Sequence, residues 1–180
     1  MADTGWKSPG AYEDNRTDEL YWLVSNPENV YLSDNSYAFF DDWYWHSVEY
    51  KSFSSLSIPS GAIIDGIEVA VEAKISSSSH NLYIALSTDG GSNFTSDKTN
   101  SISATSDTEY TFGGSADTWG GNFNSGSFGN DFRVRVLTLD TLGDGYDIYI
   151  DHIQIKVYYT ENTTPIIGKK YPLPPFRRSV

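Results

Sequence analysis

Cysteine is absent from the 180-residue sequence, and no apolar run approaches the ~20 residues that a membrane-spanning helix needs. Without thiols the chain forms neither disulfides nor thiolate metal sites. Its first residues, MADTGWKSPG, lack the charged and hydrophobic regions of a signal peptide. Helical periodicity is also missing throughout the chain. These absences predict a soluble protein that is made in a cytoplasm, has no membrane partner and is built from β-strands.

Acidic residues dominate the body of the chain but not its end. After residue 161 there is no acid, and four of the 12 basic residues follow: Lys169, Lys170, Arg177 and Arg178. Residues 1–161 therefore hold all 24 acids and eight bases, a balance of −16. A body this negative repels phosphate, which argues against nucleic-acid binding. The basic end is typical of a segment that binds another protein.

Alternation of apolar and polar residues predicts an all-β protein. The clearest strand is 62–75, where Ile67, Val69 and Val71 alternate with Glu68 and Glu72. Other strands are predicted at 47–58, 81–87, 108–114, 131–139 and 146–160. A change of parity at Asp151-His152 in the last strand indicates a β-bulge. Seven or eight strands with Gly-rich turns predict an antiparallel, jelly-roll-like β-sandwich.

The chain divides into three parts by composition. We assign residues 1–25 to an N-terminal arm, 26–160 to the sandwich domain and 161–180 to an extended, basic, proline-rich C-terminal arm. Proline keeps such a segment extended and reduces the entropy that it loses on binding. The arm residues predicted to contact a partner protein are Lys169, Lys170, Tyr171, Leu173, Phe176, Arg177 and Arg178.

The stretch from Ser87 to Phe94, STDGGSNF, predicts a tight hairpin because Asp-Gly favours such turns. It resembles the Asp-box, a structural hairpin of sialidases and other β proteins, with the pattern S-x-D-x-G-x-x-F. The resemblance implies that the aspartate hydrogen-bonds the turn and that the aromatic residue anchors it. The four matching positions are Ser87, Asp89, Gly91 and Phe94.

No set of residues predicts catalysis, and we expect no enzyme activity, metal or cofactor. Glu68 and Glu72 leave the same strand face about 13 Å apart, too far for a glycosidase pair. The histidines, His46, His80 and His152, are scattered. Asp140, Asp144 and Asp147 are candidate Ca²⁺ ligands, but the segment does not fit the D-x-D-x-D-G loop, and aspartate and glycine are also common in plain turns.

Aromatic residues in polar stretches are candidates for stacking on sugar rings, provided that they are exposed. The alternative is that they fill the ends of the sandwich or a subunit interface. These residues are Trp43, Tyr44, Trp45 and Trp119.

Most of the domain, about residues 26–160, is similar to a β-sandwich module of tailed-phage and prophage virion proteins. The likeness is carried by NPENVYLSDNSYA, SIPSGAIIDGIEVAV, the DGGSNF hairpin, GGSADTWGGNF, FRVRV and the final DHIQIKVYYT. Val30 replaces an alanine of the module, and Phe94 stands where tryptophan is commoner. The run DDWYWH at 41–46 has no counterpart in the module.

The resemblance implies a structural virion protein. Its main functional expectation is a capsid decoration (cement) protein on the virion surface, whose arms bind the major capsid protein and stabilise the shell. By analogy with such proteins, a homotrimer is expected. The alternative is a carbohydrate-binding module of a tail or fibre adhesin, with a tail protein as its partner.

Overall fold

The structure, a computed structural model, describes residues 1–13, 21–22, 24–40, 45–54, 56–139 and 147–162. Of Tyr21, Trp22 and Trp45 only the backbone is described. A short 3₁₀ helix spans Pro27–Tyr31. The strands are β1 Ala2–Asp3, β2 Ala11–Glu13, β3 Tyr21–Trp22, β4 Ala38–Phe40, β5 Trp45–Lys51, β6 Ile63–Ile75, β7 His80–Ser87, β8 Lys98–Ile102, β9 Thr108–Gly114, β10 Arg133–Thr138 and β11 Ile148–Thr160.

Two sheets pack face to face, which confirms the predicted β-sandwich. Sheet A has the order β1-β11-β6-β9, with β4 also paired to β11. Sheet B has the order β2-β5-β10-β7-β8, with β3 also paired to β5. All pairs are antiparallel except β3 with β5, which run parallel. Within the described ranges no α-helix occurs, and no helix is long and apolar enough to cross a membrane.

The core lies between the long strands β6 and β11 of sheet A and the strands β7 and β10 of sheet B. Alternate side chains face inward on each strand, as in Ile67 and Val69 of β6 and Ile153 and Ile155 of β11, all fully buried. Burying such a side chain contributes about 1.5–3 kcal/mol relative to leaving it exposed. The period-2 pattern therefore determines which face of each strand is buried.

The predicted bulge in the last strand is confirmed. The register of β11 on β6 shifts between Ile150 and His152, so Asp151 is the extra residue. Asp151 is 1 % exposed and accepts a hydrogen bond of 3.3 Å from the backbone N–H of Asp34. Burial raises the pKa of its carboxyl group above the ordinary value.

The described part of the N-terminal arm pairs with both sheets. β1 pairs with the end of β11, Lys7 bridges to Ile155, and β2 then pairs with β5 of sheet B. The carboxylate of Glu13 contacts both Lys51 and Arg133, and the hydrogen bond from Lys51 is the main cause that lowers the pKa of Glu13. This segment thus joins the two sheets.

Several local features differ from the sequence-based expectations. The predicted strand at 47–58 ends at Lys51, because Ser52 takes a positive φ of 57°. Phe53 and Ile58 still pack against the core, but from a loop. Strand β8 was not predicted, since Lys98–Ile102 has little apolar content. Arg133 lies on the outer face of its sheet, as predicted, but is only 6 % exposed because Glu13 and backbone carbonyls surround it.

Candidate functional site

The hairpin after β7 is held by its own polar side chains. The Ser87 hydroxyl donates to Asp89 Oδ1 at 2.8 Å and accepts from the backbone N–H of Gly91 at 3.0 Å. Asn93 donates to Asp89 twice, from its backbone N–H at 2.9 Å and its side-chain amide at 2.7 Å. These bonds hold the pKa of the Asp89 carboxyl at about 2, below its ordinary value of 3.8. Asp89 is therefore ionised at neutral pH.

Glycine is required at position 91 of this hairpin. Its φ is +88°, and a Cβ there would collide with the carboxylate of Glu49 on β5. The hairpin thus folds closely over the outer face of sheet B, where Glu49 is paired with Arg135 in the strand register. The structure places the four Asp-box-like residues, Ser87, Asp89, Gly91 and Phe94, in this one turn.

The loop after β9 lies beside the hairpin. Asp117 accepts a hydrogen bond of 2.8 Å from the backbone N–H of Trp119, which has a positive φ of 56°. The indole ring turns inward, and its N–H donates to the carbonyl oxygen of Ile67 at 2.8 Å. Trp119 is 4 % exposed. It therefore fills the end of the sandwich, which is the second of the two alternatives given for this residue, and does not offer an exposed ring to a sugar.

A cleft of about 380 Å³ separates the hairpin from this loop. We call it the hairpin cleft. Leu86 and Trp119 belong to its lining, together with the rings of Phe94 and Phe123. The remaining lining is mostly hydroxyl and amide groups, from Ser87, Thr88, Asn93, Thr95, Ser96 and Asn122. Asp89 is the one charged residue among the described residues that line it.

The two phenylalanine rings come from opposite walls of the hairpin cleft. Arg135 lies over the Phe94 ring, 4.3 Å from its centre, on the hairpin side. Phe128 stacks with Phe123 on the loop side, with ring centres 5.9 Å apart and planes inclined by 21°. Each ring is thereby held in place by a neighbouring side chain.

A smaller cavity of about 220 Å³ lies on the outer face of sheet A. Glu109, Glu72 and His152 form a row across β9, β6 and β11, and all three line it. His152 Nε2 lies 2.8 Å from the Ser8 hydroxyl. Burial lowers the pKa of His152, against the opposing effect of the nearby carboxylates. No Phe, Tyr or Trp lines this cavity within the described part of the chain.

The other candidate residues are dispersed. Glu68 accepts a 2.7 Å hydrogen bond from the Tyr158 hydroxyl and lies 3.6 Å from the Lys156 ammonium group. His46 is buried against Phe40 at the opposite end of β5 from Lys51. In the described ranges no three His, Asp or Glu residues are grouped so as to hold a metal ion.

Several of the predicted site residues lie outside the described residues. The C-terminal arm residues Lys169, Lys170, Tyr171, Leu173, Phe176, Arg177 and Arg178 lie there, as do Trp43, Tyr44, Asp140 and Asp144. The side chain of Trp45 is also undescribed. Asp147 is described, and its carboxylate lies 3.4 Å from the Tyr149 hydroxyl.

Sequence reasoning missed the residues that make the hairpin cleft polar. Asn93, Asn122 and Phe123 lie on two segments that are about thirty positions apart, and only the fold brings the segments together. The available signal was the Gly/Asn/aromatic content of TWGGNF, which pointed to the loop but favoured Trp119 within it. In the structure the Trp119 ring turns into the core, and Phe123 of the same loop contributes to the cleft lining.

No family model and no curated protein matches the chain. Among solved structures, it is similar to one titled "CBM4 structure and function" (12 % identity, 71 % of this chain, 73 % of that chain, TM-score 0.39). It is also similar to TmCBM61 in complex with β-1,4-galactotriose (13 % identity, 74 % of this chain, 78 % of that chain, TM-score 0.37). A third similar structure is the CBM22-1 xylan-binding domain of Paenibacillus barcinonensis Xyn10C (9 % identity, 87 % of this chain, 88 % of that chain, TM-score 0.34). With TM-scores this low, the fold assignment depends on the strand pairing and not on these likenesses.

Proposed function

We propose that the protein is a carbohydrate-binding β-sandwich and that the hairpin cleft holds the sugar. The observation that carries this proposal is the lining of the cleft. Two aromatic residues, Phe94 and Phe123, line a common space together with amide and hydroxyl groups. Asp89, the one charged residue among the described residues of this lining, already accepts three hydrogen bonds within the hairpin.

Sugars match this combination of surfaces. The C–H faces of a pyranose ring are apolar and pack on aromatic rings, whereas its hydroxyl groups need donors and acceptors at fixed positions. Asn122 is exposed on the loop, and Thr88 and Ser96 are exposed on the hairpin, so their polar groups reach solvent and a ligand. The cleft also falls within the ~300–1,000 Å³ typical of small-molecule sites.

The cleft is formed before any ligand arrives. The hairpin is held by the bonds within Ser87–Asn93, and Thr95 is tied to Leu86 by a backbone hydrogen bond of 2.9 Å. The facing loop is fixed by Asp117 and by the buried ring of Trp119. A preformed site loses little conformational entropy on binding, which favours affinity for a small, rigid ligand.

A panel of oligosaccharides, measured by titration calorimetry with the purified protein, tests the proposal. We expect Phe123→Ala and Asn122→Ala each to weaken binding of the recognised sugar by about tenfold, the loss of about 1.4 kcal/mol. Phe39→Ala and Asn81→Ala are matched controls, because neither residue lines the cleft. Absence of sugar binding, or equal losses in the control variants, would show that the proposal is wrong.

A virion location stays a separate proposal, which the similarity to phage modules and the basic C-terminal arm support. As a decoration protein, the chain would bind the capsid through this arm; as an adhesin module, it would present the cleft to a host glycan. Removing residues 165–180 and measuring co-sedimentation with capsids distinguishes the two. Unchanged capsid occupancy would contradict an arm-mediated capsid function.

A further inference from the structure

We infer that the hairpin cleft selects neutral sugars and rejects uronic acids and other anionic sugars, because Asp89 places a fixed negative charge in its wall. This inference rests on the proposed function and names the ligand class of the same site. Three observations carry it: the state of Asp89, the positions of the nearby cations, and the charge of the surrounding surface.

Asp89 keeps its negative charge under all ordinary conditions. Its two carboxylate oxygens accept hydrogen bonds from Ser87 and from both donors of Asn93. These donors stabilise the ionised form, so the pKa of the group is about 2. The carboxylate is therefore a negative charge in the cleft wall at neutral pH.

The cations beside the cleft already pair with carboxylates. Arg135 lies over the Phe94 ring, 4.3 Å from its centre, and pairs with Asp97 at 2.7 Å. Lys98 pairs with Asp117 at 2.6 Å. Neither residue lines the cleft, and no Lys, Arg or His does so within the described part of the chain. An anionic ligand in the cleft thus meets no unpaired cation to replace its lost hydration.

The surroundings add to the repulsion. Asp131 lies beside Gly90 at the tip of the hairpin, whereas Glu49 under the hairpin lies 4.0 Å from Arg133 Nε, which offsets its charge. The whole chain carries a net charge of −12. Like charges a few ångström apart repel each other, and the repulsion is stronger near a protein surface than in bulk water. A neutral sugar avoids this repulsion while making the same ring and hydroxyl contacts.

The test compares each neutral sugar with its own oxidised counterpart. The probes are β-1,4-linked gluco-, galacto- and manno-oligosaccharides and the same oligosaccharides with C6 oxidised to the carboxylate, titrated calorimetrically at low ionic strength. We expect the carboxylate form of any recognised sugar to bind at least about tenfold more weakly. Raising the salt concentration is expected to narrow this difference by screening, while affinity for the neutral sugar changes little.

A variant pair assigns the effect to the carboxylate. Asp89→Asn is expected to reduce the difference in affinity between the neutral and the oxidised sugar. Glu109→Gln removes an exposed charge on sheet A and is expected to leave this difference in affinity unchanged. Equal affinity for the two sugar forms, tighter binding of the oxidised form, or no effect of salt or of Asp89→Asn overturns the inference while the proposed function stands. Binding of neither form overturns the proposed function itself.

Discussion

The indole N–H of Trp119 donates a 2.8 Å hydrogen bond to the backbone carbonyl oxygen of Ile67, a residue 52 positions earlier on the central strand of sheet A. The bond fixes the loop that forms one wall of the hairpin cleft to the core of the sandwich. Gly113 lies against both partners: a Cβ there would stand 2.6 Å from Trp119 Nε1 and would also collide with the Ile67 oxygen.

Gly113→Ala is therefore expected to destabilise the fold more than Gly120→Ala. Both glycines have a positive φ, +76° and +67°, so both substitutions carry the backbone strain of about 1–2 kcal/mol. A Cβ at Gly120 meets no atom within 4 Å, whereas at Gly113 the added crowding costs about 1–3 kcal/mol more. Urea unfolding of the two variants gives the difference, and equal losses would contradict the crowding argument.

The hairpin is expected to lose stability in acid. The pKa of Asp89 is about 2 in the folded protein and near 3.8 when the hairpin is unfolded, so its hydrogen bonds contribute fully above about pH 4. The contribution is lost as the pH falls from there toward 2. The free energy of unfolding of the native protein should fall over this window relative to that of Asp89→Asn. Parallel pH profiles for the two proteins would contradict the assignment.

Glu13 is expected to matter because it contacts a buried cation. Its carboxylate lies 3.1 Å from both Nε and Nη2 of Arg133, whose side chain is only 8 % exposed. Glu13→Gln should lower the free energy of unfolding by about 1–2 kcal/mol. The loss is smaller than for a fully buried ion pair, because the Glu13 side chain is 34 % exposed and solvent screens the interaction. Glu109→Gln is the control, because this carboxylate is exposed and forms no salt bridge with any residue that the structure describes. Urea unfolding measures both, and equal costs would contradict the bridging role.

Asp151 gives the opposite pH dependence. Burial raises the pKa of Asp151 in the folded protein, so the unfolded chain releases this proton at a lower pH than the folded protein does. The free energy of unfolding therefore falls as the pH rises from about 4, the pKa in the unfolded chain, through the higher pKa in the folded protein. Asp151→Asn should keep an acceptor for the Asp34 N–H without the buried charge, and we expect equal or greater stability at pH 7. Asp151→Ala removes the acceptor and should cost about 1–3 kcal/mol. Lower stability of Asp151→Asn than of Asp151→Ala would contradict this account, and urea unfolding across pH 4–8 measures all three proteins.

Strands with clean alternation could be predicted because the period of 2 is a local property. β6 and β11 follow this rule, and even the bulge at Asp151 is visible as a change of parity in the sequence. Strand β8 and the short N-terminal strands have no such pattern. They exist because neighbouring strands offer unpaired backbone groups, which no local pattern records.

The sequence by itself determined the sandwich, the bulge and the tight Asp-Gly hairpin, since each follows from residues that are close along the chain. Tertiary structure alone decided that Trp119 turns inward, that Phe123 and Asn122 face Asn93 and Phe94, and that the cations near the cleft are paired away from it. The reason is that a cleft between two loops depends on side-chain directions and on contacts between distant segments. Both are set by how the sheets pack and not by the order of residues within either loop.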